Sequence, residues 1–287
     1  MKNKTFKKVL KNNIGFLFIL PWLIGFCVFK LYPFASSLYF SFTDFHLFKG
    51  ISKYTVENYV DVFTNKNELK ALIVTFKYAF ITVPLKLVAA LFIAYILNFK
   101  IKGVNFFRTA YYIPSILGGS VAISVLWKAL FKDEGLIQTA FAMVGLHAPS
   151  FFSDPNWALF SISLLRMWQF GSAMVIFLAA LKGVPAELYE AASIDGAGSK
   201  RQFFSITLPL LSPSIFLVSV LSVISSLQMF DLIYVMIGKG SPAESSSQTV
   251  VYLFFRKAFI EGDQGYGAAI AITLLLLIMT ITAIQFR

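Results

Sequence analysis

Apolar residues run along this chain in long blocks instead of alternating with polar ones. Six blocks reach about twenty residues or more, enough at about 1.5 Å per helical residue to cross a hydrocarbon layer of about 30 Å. They are Ile14 to Tyr32, Ala71 to Leu97, Ala110 to Leu130, Trp157 to Leu181, Leu208 to Ile237 and Tyr266 to Phe286. Lipid cannot hydrate a backbone N–H or C=O, so a crossing block must bond its own backbone, and each block predicts a helix. The expected architecture is an all-α polytopic membrane protein of six transmembrane helices, one domain over residues 1–287. Between the blocks lie polar connections: Phe34 to Lys70, with a short helix around Val56 to Phe63, then Lys132 to Asp154, then 182–207. Gln248 to Phe259 has the pattern of an amphipathic helix leading back to the last block.

Composition agrees with the pattern. Of 287 residues 57% are hydrophobic, 17% aromatic and 14% charged, with 32 Phe, which places the chain in the membrane class. The basic residues before Ile14 resemble the start of a signal peptide, but the apolar run that follows is too long and lacks a small-residue cleavage site, so an uncleaved first span is expected. The single cysteine, Cys27, lies inside that run, which rules out a disulfide framework, and His46 and His147 lie too far apart to begin a metal-ligand set.

The net charge of +11 suggests a nucleic-acid partner until its distribution is examined. With an even number of crossings both termini share a side. That side carries twelve basic residues (Lys2, Lys4, Lys7, Lys8, Lys11, Lys100, Lys102, Arg108, Lys182, Lys200, Arg201 and Arg287) against Glu187, Glu190 and Asp195, whereas the other side carries eight against ten acids. The excess is a topology signal: both termini and the central loop are expected in the cytoplasm, with the lipid bilayer and no nucleic acid as partner.

Chemistry inside the spans is sparse. Pro21 and Gly25 interrupt the first block, Pro84 and Lys86 the second, and Gly118, Gly119 and Ser120 give the third a small face for helix contact. The fourth holds Arg166, Trp168, Gln169, Phe170 and Gly171 together; Arg166 lies about 14 Å below the outer edge and can partly snorkel. The fifth carries Ser219, Ser222, Ser225, Ser226, Gln228, Met229 and Asp231, of which Ser222, Ser225 and Met229 share a helical face. Lys86 and Asp231 are the charges nearest the bilayer middle, and each is expected to have a partner. No catalytic constellation appears, and the one Gly-Lys pair, Gly238-Lys239, follows Ile233 where a nucleotide-binding loop needs glycine.

The polar stretch Val184 to Pro213, VPAELYEAASIDGAGSKRQFFSITLPLLSP, is built to meet a soluble partner. Pro185 suits a helix start, Glu187 and Glu190 suit its N-terminal turns, and Ala191-Ala192 offer a face without bulk. Asp195-Gly196 forms a turn, and Ser199 is the expected cap of a second helix carrying Phe203, Phe204 and Ile206. Glu190-Ala191-Ala192, Asp195-Gly196-Ala197, Ile206, Leu208-Pro209 and Pro213 resemble the EAA signature of permease subunits of binding-protein-dependent ATP-binding-cassette (ABC) importers, and the whole chain is similar to the carbohydrate, maltose-type branch.

The resemblance implies the type I ABC importer permease fold in a bacterial plasma membrane. It implies a second permease subunit, two cytoplasmic ATPases that hold the ATP and Mg, and an extracytoplasmic solute-binding protein; this chain itself holds no cofactor. Glu187, Glu190, Ala191, Ala192, Asp195, Gly196 and Ala197 become the ATPase-coupling residues. Contacts of the maltose-type sugar site fall on Phe170, Ala173, Ser222, Ser225, Ser226 and Met229, while the departure at Ala173, Ser225 and Ser226 argues against maltose itself. Trp168, Phe170, Gln169, Ser225, Ser226 and Gln228, at comparable depth, offer the aromatic faces and neutral hydrogen-bonding groups that a sugar needs, and Asp231 completes the expected pathway. An ion-coupled secondary transporter would need more intramembrane acids than Asp231, and a lipid-modifying enzyme would need clustered acids or histidines. A reporter fused after Lys200 is expected in the cytoplasm and one after Lys53 or Ser245 outside; external labelling of Lys200 would overturn this orientation.

Overall fold

The computed structural model describes residues 14–99, 102–118, 121–238 and 240–287. The basic positions Lys2 to Lys11, Lys100, the Gly119-Ser120 pair and Lys239 lie outside the described residues. Among those described the chain is helical, and strand-like pairing is confined to isolated bridges. Three helices run unbroken at crossing length, Phe18–Phe40, Lys66–Asn98 and Gln264–Gln285, and three further crossings are possible as bent pairs. The chain forms two compact units, one of residues up to Phe63 with Phe254–Leu275, the other of Thr64–Leu253 with Leu276–Arg287.

In the first unit α1 (Ile14–Phe26), a π-helical turn (Cys27–Leu31) and α2 (Tyr32–Phe40) follow without interruption. The first span therefore runs to Phe40, past the expected end at Tyr32, with Pro33 carried directly after the π-helical turn. The segment beyond is tied down locally. Thr43 pairs with Tyr54 and His46 with both Gly50 and Asp263. Asp44 Oδ1 accepts the N–H groups of Ser52 (2.9 Å) and Lys53 (2.8 Å), and Asn58 Nδ2 donates to the carbonyls of Ser41 and Thr43. A short helix, α3 (Glu57–Thr64), follows within a residue of the expected position.

The second unit is arranged about α4 (Lys66–Asn98), which starts on the Asn65 side chain and carries Pro84 without breaking. After it come α5 (Val104–Leu117), α6 (Val121–Phe131) and α7 (Leu136–Met143). The fourth apolar block, expected as one helix, is two: α8 (Ala158–Trp168) and α9 (Gly171–Lys182), bent by 45°. The central loop folds as α10 (Ala186–Ile194) and α11 (Ser199–Gln202), continued by a π-helical turn through Thr207. The fifth block is three pieces, α12 (Leu208–Leu210), α13 (Ser212–Leu227) and α14 (Asp231–Met236), with a 66° bend at Leu211. Short helices α15 (Glu244–Ser247) and α16 (Val250–Phe255) precede a π-helical turn (Arg256–Ile260) and α17 (Gln264–Gln285).

Helix α4 packs on α8, α9 and α13, and the burial divides into two clusters. One joins Val74 and Tyr78 of α4 to Leu159, Ile162 and Leu165 of α8 and Leu232, Ile233 and Met236 of α14. The other joins Ala90, Ala94 and Leu97 of α4 to Ala173, Met174, Phe177 and Leu181 of α9, with Leu211 and Val218. Among the apolar side chains between the clusters stand four polar ones: Lys86 on α4, Arg166 and Gln169 at the α8–α9 break, and Ser225 near the end of α13.

Backbone donors, Lys53 N–H foremost, hold the Asp44 carboxylate below its ordinary range. A depressed folded value means that its contribution is complete above the ordinary carboxylate range and is lost as pH falls through the folded value. Amide exchange at Ser52 and Lys53 is expected to accelerate in Asp44→Ala at neutral pH and in the wild type only in acid; unchanged exchange in the variant would remove Asp44 from its structural role.

Candidate functional site

The α8–α9 break is held by side chains from other helices. Gln169 leaves the helical region (φ −84°, ψ 36°). Ser115 Oγ on α5 donates to the Gln169 carbonyl (3.1 Å) and accepts the Ser172 N–H (3.1 Å), so one hydroxyl serves both sides of the break. Gln169 Nε2 donates to the Gly118 carbonyl (2.9 Å), and Arg166 donates through Nη1 to Gln169 Oε1 (2.7 Å) and through Nη2 to Ser225 Oγ on α13 (2.9 Å). Two glycines make this possible. A Cβ on Gly171 would strike the Tyr111 carbonyl and lie 2.8 Å from Ser115 Oγ and Tyr112 Cα, and one on Gly118 would overlap the Gln169 side chain.

The second break, at Gln228 to Phe230, is served by Thr249, whose buried Oγ1 donates to the Met229 carbonyl (2.8 Å). Of the expected pathway residues, Gln169, Phe170, Ala173, Ser222, Ser226 and Met229 are buried within this chain. Phe170 packs against Tyr111 with ring centroids 5.8 Å apart, and Met229 belongs to the α8–α14 cluster. Trp168 is half-buried, edge-on to Trp127 at 5.2 Å, and borders a cavity of about 210 Å³ lined by aromatic rings. Ser225 is half-buried, whereas Gln228 and Asp231 are exposed. Lys86 and Asp231 do not pair: among the described residues neither has an oppositely charged atom within 4.0 Å. Arg166, placed where it can partly snorkel, instead turns to Gln169 and Ser225 and joins two pathway residues that sequence spacing left on separate spans.

The elbow of α10 and α11 is built by local rules. Gly196 takes φ +76°, which lets the Ala197 N–H return to the Ala192 carbonyl (2.8 Å) and closes α10. The cap of α11 falls on Gly198, not on Ser199, which is the first helical residue. Gln202 Nε2 then donates to Ser193 Oγ (2.9 Å) and the Ala197 carbonyl (3.0 Å), and the Tyr189 and Thr207 hydroxyls meet at 2.8 Å. Glu187, Glu190, Ala191, Asp195 and Gly196 are exposed, and Ala192 and Ala197 half so. Leu188 and Ile194 are also uncovered, Ile194 to 87%, so the elbow presents apolar side chains among acids. Tyr189, Gln202 and Ile194 were not marked by the signature; a Gln five positions after the last motif alanine, Ala197, is not a local code.

The family profile described as "Binding-protein-dependent transport system inner membrane component" matches residues 63–287. The chain is 40% identical to the probable ABC transporter permease protein YesP of Bacillus subtilis (strain 168), over 99% of this chain and 93% of that protein. It is 33% identical to the arabinooligosaccharides transport system permease protein AraP of the same organism, over 96% and 88%. Its fold is similar to a chain of a bacterial alginate ABC transporter solved in complex with an alginate pentasaccharide-bound periplasmic protein, with TM-score 0.85, 19% identity, and 97% and 94% of the two chains covered.

Ser115→Ala strips two backbone groups at a helix break of their partner, at about 1–3 kcal/mol for a buried group left unpaired. Its thermal unfolding in detergent is expected below that of the wild type, with Ser115→Thr close to wild type. Equal unfolding of the alanine variant would show that the break is held elsewhere.

Proposed function

The chain belongs to the family of binding-protein-dependent transport system inner membrane components, and from that premise we propose that it is one permease half of an ATP-driven ABC importer. The cargo is a sugar or oligosaccharide delivered by an extracytoplasmic binding protein, in keeping with the arabinooligosaccharide relative. The chain works in the bacterial plasma membrane, both termini in the cytoplasm, as a single permease domain beside a second permease subunit. Two ATPase subunits hold the ATP and Mg and hydrolyse the ATP.

The observation that carries this reading is the exposed elbow. A surface that uncovers Leu188 and Ile194 beside Glu187, Glu190 and Asp195 suits a protein partner better than water or lipid. Glu187, Glu190, Ala191, Ala192, Asp195, Gly196 and Ala197 are the ATPase-docking residues, and Tyr189, Gln202 and Thr207 hold their shape. In the spans, Trp168, Ser225, Gln228 and Asp231 line the pathway. Gln169, Phe170, Ala173, Ser222, Ser226 and Met229 support it from behind, since they are buried within this chain.

Among the described residues nothing lies within 4 Å of a Cβ at Gly196, whose positive φ makes a side chain there strain the elbow locally, and Ile194 is mostly uncovered, so neither Gly196→Arg nor Ile194→Asp disturbs packing within the spans. Both variants are expected to insert into the membrane yet lose at least about tenfold in uptake and in binding-protein-stimulated ATP hydrolysis, the scale of one interface hot spot. Wild-type uptake by both would refute the docking assignment.

A further inference from the structure

Between the two apolar clusters stands a cation that makes no ion pair among the described residues. Arg166 is half-buried, and its two hydrogen-bond acceptors, Gln169 Oε1 and Ser225 Oγ, are both neutral. A guanidinium has five N–H donors, so these two contacts orient the group without satisfying it or compensating its charge. The charges around it do not cancel. Lys86 on α4, half-buried in mid-span, lies within electrostatic reach of Arg166 and adds a second positive charge. Asp231 at the start of α14 is the acid on this side of the spans, yet it is exposed and makes no ion pair with either cation among the described residues. Two cations stand against one acid at the depth where charge is most costly.

Resting on the importer reading above, we propose that Arg166 is a specificity residue and that the transported sugar carries a carboxylate, as a uronic acid does. Neutral donors and acceptors alone would suit a neutral sugar, and a fixed cation among them then serves no purpose that a glutamine could not. The planar guanidinium matches a carboxylate geometrically as well as in charge. Gln169 at the α8–α9 break and Ser225 on α13 hold it from two sides, so the guanidinium is anchored at both terminal nitrogens. Gln169 is itself fixed by the Gly118 carbonyl, so the chain spends a buried amide on aiming this charge.

The test uses the complete importer in proteoliposomes, wild type, Arg166→Gln and Arg166→Lys. Each is supplied with a uronic-acid oligosaccharide or with its methyl ester, the same sugar without the charge. Uptake is normalised to the affinity of the isolated binding protein for each form. The wild type is expected to prefer the acid by about tenfold or more, the scale of one charged hydrogen bond, with Arg166→Gln bringing the ratio close to one and Arg166→Lys restoring most of it. A merely structural clamp would lower both uptakes together and leave the ratio unchanged. A wild-type ratio near one, or a preference that survives in Arg166→Gln, overturns the proposal while leaving the sugar importer standing. Wild-type uptake of neither form, with uptake of a non-sugar solute, overturns the importer's sugar assignment and this proposal with it.

Discussion

A helix broken inside a membrane uncovers N–H and C=O groups that lipid cannot hydrate, and the rest of this structure depends on how those groups are satisfied. At the α8–α9 break one hydroxyl, Ser115 Oγ, serves the Gln169 carbonyl and the Ser172 N–H at once. At the α13–α14 break the Thr249 hydroxyl takes the Met229 carbonyl. In each case the partner comes from another element, so the breaks exist only in the assembled fold. The two apolar clusters hold α4, α8, α9, α13 and α14 in the register these bonds need.

The breaks are joined to the elbow by short stretches of chain. Helix α9 spans about 18 Å at 1.5 Å per residue and runs from the Gln169 break to Gly183, two residues before the cap of α10. On the other side, the Tyr189–Thr207 bond ties α10 to the turn that leads into α12 and α13, the helix of Ser225. The elbow is therefore joined, through two separate helices, to both side chains that hold Arg166. The exposed elbow and the half-buried guanidinium are thus connected through covalent continuity and hydrogen bonds.

Much of this was legible in the chain itself, and what was not shares one cause. Hydropathy reports how long an apolar run is, so the six blocks and the lengths of α4 and α17 could be taken from it. It does not report continuity. The fourth block breaks at Gln169-Phe170 with no proline in it, because the determinants are Ser115 and Gly118, some fifty residues earlier on α5. The elbow was legible because its rules are local: Pro185 before α10 and a positive-φ glycine after it. Its one misplacement, the cap at Gly198 instead of Ser199, is a single residue at a helix end, where a glycine in extended backbone caps well without a side chain.

Arg166 shows what a closer local reading would have found. A long cationic side chain about three turns from the edge of a span has two ways to avoid lipid: it can reach outward along its own helix or inward to a polar neighbour. Depth alone favours the first. The residue three positions on is Gln169, and i,i+3 neighbours lie on one helical face, so an acceptor stood within reach on the same side. Reaching outward spreads a charge into the interface and leaves a glutamine in the span without a partner. Turning inward satisfies both side chains at once and leaves a charge between the two clusters. In a membrane the option that leaves fewer unpaired polar groups wins, which is why the guanidinium is found against Gln169 and Ser225.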